Sequence, residues 1–90
     1  MRPLGFHRDA RNYLRRMPER RREQMLTTLR EVADLEDPLT HPDVKNMSGN
    51  PAGRMRLRVG VYRAIFRLRQ NNEGLEVLFV LTVNTRGDAY

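Results

Sequence analysis

The chain has 90 residues, no cysteine, a formal charge of +6 and a pI near 11.0. That length leads us to expect one domain spanning 1–90 with a modest core, and the missing cysteines exclude a disulfide framework and any thiolate metal site. Sixteen of the 17 basic residues are arginine and only Lys45 is lysine. Guanidinium groups match phosphate bidentately and stay charged when partly buried, so composition favours nucleic acid or an acidic protein as partner over a merely solvated surface.

The N-terminal MRPLGFHRDA has no apolar run of the signal-peptide kind. The longest apolar stretch, Leu75–Val83, contains Glu76 and is far too short for a membrane span. A soluble cytoplasmic protein with no membrane partner is expected. Leu4 and Phe6, at strand spacing in Arg2–His7, mark a first strand, with Pro3 near its start where a missing donor is tolerated.

From Asp9 the period changes. Ala10, Tyr13, Leu14 and Met17 fall on one helix face, with Arg11, Asn12, Arg15 and Arg16 opposite. Pro18 ends this helix and can open the next at its first position, with Glu19 suited to the dipole there. Met25, Leu26, Leu29, Val32 and Ala33 form the second apolar stripe. Arg20, Arg21 and Arg22 crowd its first turns, either to meet a phosphate or as a solvated face. The helix closes acidic before Pro38, completing a helical hairpin. The segment from Asp37 to Gly53 is read as a long loop, rich in proline and glycine, which Val44 and Met47 pin to the core.

Arg54–Arg69 follows as RMRLRVGVYRAIFRLR. Successive strand residues point to opposite faces. Met55, Leu57 and Val59 therefore share one face, and Arg54, Arg56 and Arg58 the other. Past Gly60, Tyr62, Ala64, Phe66 and Leu68 share one face, and Arg63, Ile65, Arg67 and Arg69 the other. The stretch reads as a β-hairpin with a greasy side and a cationic side. QNNEG at 70–74 is a turn, and Leu75–Val83 is apolar on both faces, as an interior strand should be. The fold class is therefore α+β: a helical hairpin packed on one face of a small, mostly antiparallel four-stranded sheet, in the order β-α-α-β-β-β. The second face of such a sheet stays open, lined by arginines.

Five features together resemble the RelE/ParE superfamily of bacterial toxins, over essentially the whole chain. They are the break at Met17–Pro18, the Asp37–Pro38 step, the PDVKNMSG loop from Pro42, RLRVGVYRAIF at Arg56–Phe66 and TRGDAY at Thr85–Tyr90. The resemblance implies a toxin of a type II toxin–antitoxin pair, with a cognate antitoxin as partner and no cofactor. RelE-like members enter the ribosomal A site and cleave mRNA by attack of the RNA 2′-hydroxyl on the adjacent phosphate. ParE-like members inhibit DNA gyrase on the same fold, and a degenerate member would only bind its antitoxin.

Carried over by position, the resemblance makes Arg56, Arg63, Arg86 and Tyr90 the catalytic candidates and matches Arg54 as well; Arg58, Arg67 and Arg69, from the cationic side of the hairpin, join Arg54 as the RNA-binding residues. The RelE prototype carries lysines where this chain has Arg54 and Arg56. An arginine does not readily give up a proton, so these two are expected to stabilise charge. For Arg63 the alternative is a salt bridge to Glu76 across the sheet, and for Tyr90 a frayed terminus. Arg67 and Arg69 could equally solvate a strand edge. Tyr62 and Phe66 are expected in the core. His7, His41 and Asp88 stand in no catalytic spacing.

Overall fold

The computed structural model describes residues 1–47, 49 and 53–85. Chain order is β1 (Leu4–Phe6), α1 (Arg8–Arg16), α2 (Glu19–Asp34), a 3-10 turn at Pro38–Thr40, β2 (Val44–Asn46), β3 (Met55–Val59), β4 (Tyr62–Gln70) and β5 (Glu76–Thr85). The strands form one sheet in the order β1-β5-β4-β3-β2, antiparallel except for the parallel pairing of β1 with β5. The α+β arrangement is thus as expected, with five strands in place of four.

The helices start and stop for local reasons. His7 caps α1, its Nδ1 accepting from the Asp9 N–H at 3.1 Å. Met17 precedes a proline, which disfavours helical backbone, and it is extended at ψ 148°. Pro18 sits one position before α2 and not inside it, with its carbonyl accepting from the Arg22 N–H at 2.9 Å. Arg22 turns back over the end of α1, where its guanidinium approaches the Leu14 and Arg15 carbonyls at 3.5 Å each. Arg20 and Arg21 are exposed.

The additional strand, β2, lies in the segment expected to be a loop. Val44 pairs with Leu57, Lys45 with Arg56 and Asn46 with Met55. Three residues flanked by turn formers carry no period of their own; edge pairing with β3 makes them a strand. Val44 enters the core as expected, whereas Met47 is only half-buried and outside the core cluster. The Met47 N–H donates to the Arg54 carbonyl at 3.1 Å and prolongs the pairing.

Between β3 and β4, Gly60 has φ +60° while Val61 keeps φ negative. This is the type II′ pattern, whose twist matches the flanking strands. In the β4–β5 turn, Asn71 Oδ1 accepts from the Glu73 and Leu75 N–H groups at 2.9 and 3.0 Å. Both helices lie on one face of the sheet. Ala10 and Leu14 of α1 and Met25, Leu29, Val32 and Ala33 of α2 close over Leu57, Ala64, Phe66, Leu78, Val80 and Val83. Among the described residues no helix is long and apolar enough to cross a membrane.

Candidate functional site

The second face of the sheet holds the cations. Lys45 stands opposite Arg56, and Arg56 opposite Ile65. Ile65 stands opposite Thr82, Arg58 opposite Arg63, and Arg63 opposite Asn84. Arg67 and Arg69 continue the row toward the far end, opposite Phe79 and Val77. The structure therefore brings Arg56, Arg58, Arg63, Arg67 and Arg69 together on one surface away from the helices. Arg54 is exposed just ahead of β3 and shares their parity. Arg86 and Tyr90 lie outside the described residues.

Two of these cross-strand pairs, Lys45–Arg56 and Arg58–Arg63, set like charges directly opposite one another. Such pairs cost a sheet stability. This concentration of positive charge suits an anionic partner. Ile65 sits among them yet is only 5% exposed, and it is not part of the helix-side core. Near-complete burial on an outward face means that neighbouring side chains lie across it. Around it, Arg56 Nε, Arg67 Nε and Asn84 Oδ1 are buried and find no hydrogen-bond partner. Arg56 Nε and Arg67 Nε are thus donors, and Asn84 Oδ1 an acceptor, left without a partner beneath the cationic surface.

A bulge shapes the β5 side of the site. Ile65 pairs with Thr82 but Phe66 with Val80, which leaves Leu81 as an extra residue. Strict alternation from Val80 would send Thr82 and Asn84 to the core and Val83 outward. The bulge reverses that parity, burying Val83 and turning Thr82 and Asn84 to the cationic face. Sequence reasoning missed Lys45, Thr82 and Asn84 as members of this surface. Lys45 was hidden in the apparent loop, and nothing in LEVLFVLTV announces the bulge.

The salt bridge weighed for Arg63 does not form with Glu76. The two occupy opposite ends of the β4–β5 ladder, since Arg63 faces Asn84 and Glu76 faces Gln70. Glu76 instead accepts from Arg2 Nε at 2.6 Å. His7 and His41 act locally, the second through Nδ1 accepting from the Asp43 N–H at 3.0 Å. Tyr62 is half-buried against the core with its ring 6.4 Å from that of Tyr13, and Phe66 is fully buried. Among the described residues no cluster of three His, Asp or Glu side chains could hold a metal ion.

Two helices on one face of a mixed sheet is an arrangement already known from solved structures. The chain is similar to the archaeal RelE–RelB complex of Pyrococcus horikoshii OT3, at 22% identity and TM-score 0.71 over 98% of both chains. It is similar to a RelBE toxin–antitoxin complex of Mycobacterium tuberculosis, at 24% identity and TM-score 0.59, covering 94% of this chain and 98% of the other. It is also similar to the intact E. coli RelBE toxin–antitoxin complex, at 27% identity and TM-score 0.66, over 98% and 99% of the two chains. No family model matches the sequence, and no curated protein matches it. The chain has a RelE-like fold.

Proposed function

We propose that this protein is the toxin of a type II toxin–antitoxin pair and that it cleaves mRNA on the ribosome. The observation that carries the proposal is the sheet face away from the helices, on which Arg56, Arg58, Arg63, Arg67 and Arg69 converge around unpaired buried donors. The partners are a cognate antitoxin, which would cover the arginine face or the helices, and the ribosome with its mRNA. The setting is the cytoplasm.

In the proposed reaction the 2′-oxygen bonds to the adjacent phosphorus and the bond from phosphorus to the 5′-oxygen breaks. The 2′-hydroxyl loses its proton and the departing oxygen gains one. The products are a 2′,3′-cyclic phosphate and a 5′-hydroxyl. Charge builds on the phosphorane oxygens, and fixed guanidinium groups are suited to that moment because they need no reorganisation. Arg56 and Arg63 supply this charge. Arg86 joins them on the family resemblance, and Tyr90 moves a proton or stacks on a base. Arg54, Arg58 and Arg67 hold flanking phosphates, and Arg69 contacts the RNA beyond them. In-line geometry comes from the ribosome, which holds the mRNA for attack.

Inducing the protein in cells and mapping mRNA 5′ ends tests this reading. Cleavage in frame with codons is expected. Arg63→Ala should lower cleavage roughly 100- to 1,000-fold, the usual cost of losing one fixed charge stabiliser, and Tyr90→Ala should also weaken it. Growth arrest with intact mRNA and blocked supercoiling would replace the nuclease with a gyrase inhibitor. No arrest at all would leave an antitoxin-binding protein only.

A further inference from the structure

Phe79 lies on the cationic face at the far end of β5, opposite Arg67 on one side and Gly5 of β1 on the other. The glycine leaves room for the ring. A Cβ at position 5 would stand 3.1 Å from Phe79 Cδ1 and 3.2 Å from Val77 Cγ1. The guanidinium of Arg69 lies over the same ring, its Cζ 4.1 Å from the centroid. Arg69 is itself exposed. Beside it, Arg67 Nε is buried without a partner.

An arginine over an aromatic ring, beside an unpaired donor in a positive track, is suited to gripping single-stranded nucleic acid without reading sequence. The charges follow the backbone and the planar group stacks on a base. From these contacts we infer that Arg69, laid on Phe79, is a stacking platform for one unpaired base of single-stranded RNA. The inference rests on the RNA reading above and extends it to binding without the ribosome. Arg69 lies six residue steps along β4 from Arg63, roughly 20 Å along a strand. The platform would therefore hold a nucleotide well away from the scissile phosphate. Charge complementarity makes RNA the occupant, because this face already sets like charges opposite one another with no acidic side chain at those register positions.

The test is equilibrium binding of the purified protein to a short 2′-O-methyl oligoadenylate, which cannot be cleaved, and to the abasic oligomer with the same phosphates. Arg69→Lys keeps the charge but removes the stacking plane. It should weaken binding of the base-bearing oligomer roughly five- to hundredfold and leave the abasic one unchanged. Phe79→Leu, which removes the ring beneath the guanidinium, should act in the same direction. If Arg69→Lys binds both oligomers as the parent protein does, the platform is wrong and Arg69 only shields Phe79; if it loses both equally, the platform is wrong and Arg69 holds a phosphate. Neither readout involves cleavage. A protein that stacks this base but cuts no mRNA would therefore sink the nuclease and spare the platform.

Discussion

Arg58 and Arg63 face each other across the hairpin with no intervening residue. Two guanidinium groups at that spacing repel, and each such pair costs on the order of 0.2–1 kcal/mol. Arg58→Thr should therefore raise the urea midpoint of unfolding, as threonine also suits a strand. The same change should reduce the steepness of the salt dependence of RNA binding by about 0.7, the loss of one phosphate contact to a single strand. A higher midpoint with an unchanged salt slope would mean that Arg58 solvates the strand and touches no phosphate. The alternation of the hairpin makes these residues legible from sequence alone. Their true neighbours are not, because Lys45 joins them through edge pairing and Asn84 through a bulge.

At the scale of elements, Arg2 ties three parts of the chain together. Its guanidinium donates to the Ala33, Leu35 and Glu36 carbonyls at the end of α2, at 3.3 Å to Ala33 and 2.7 Å to Glu36, while Nε pairs with Glu76 of β5. The end of a helix leaves carbonyls without partners, and α2 has no basic residue in its last turn to serve them. Arg2 does so from a distance. The Arg2 side chain is 17% exposed whereas Glu76 is 48% exposed, so the carbonyl bonds should outweigh the ion pair. Arg2→Ala is expected to cost roughly 2–3 kcal/mol by urea denaturation. Glu76→Gln should cost under about 1 kcal/mol. Equal losses would show that the ion pair, and not the capping, holds β5 to α2.

The elements themselves differ in how readily they are read from sequence. The 3.6-residue period marks α1 and α2, and strict alternation marks the hairpin, because each buries one face against a single core. β2 has only three residues and takes its strand conformation from β3. The parallel pairing of β1 with β5 joins positions more than seventy residues apart, Leu4 with Leu78 among them, and local pattern carries no trace of it. Arg2 likewise reads as one more cation in a basic chain until α2 and β5 are brought to it.

For the whole molecule, a formal charge of +6 is spread unevenly. The helices bury one stripe in the core and show mixed charge outside, while the far side of the sheet is cationic from Lys45 to Arg69. That asymmetry should make RNA binding fall steeply with salt, and it should make an acidic antitoxin segment a competitor for the face if the antitoxin docks there. Titrating the antitoxin against labelled oligoadenylate would show displacement in that case. Simultaneous binding would place the antitoxin on the helices. The catalytic claim is narrower than the binding claim, because guanidinium groups stabilise charge without carrying protons.

That claim meets its most direct test on purified ribosomes. The protein should cut an mRNA held with an open A site, leaving a 2′,3′-cyclic phosphate and a 5′-hydroxyl, and Arg63→Ala should lose the cut while still binding the oligomer. Intact mRNA with the parent protein, or equal cutting by Arg63→Ala, would contradict it.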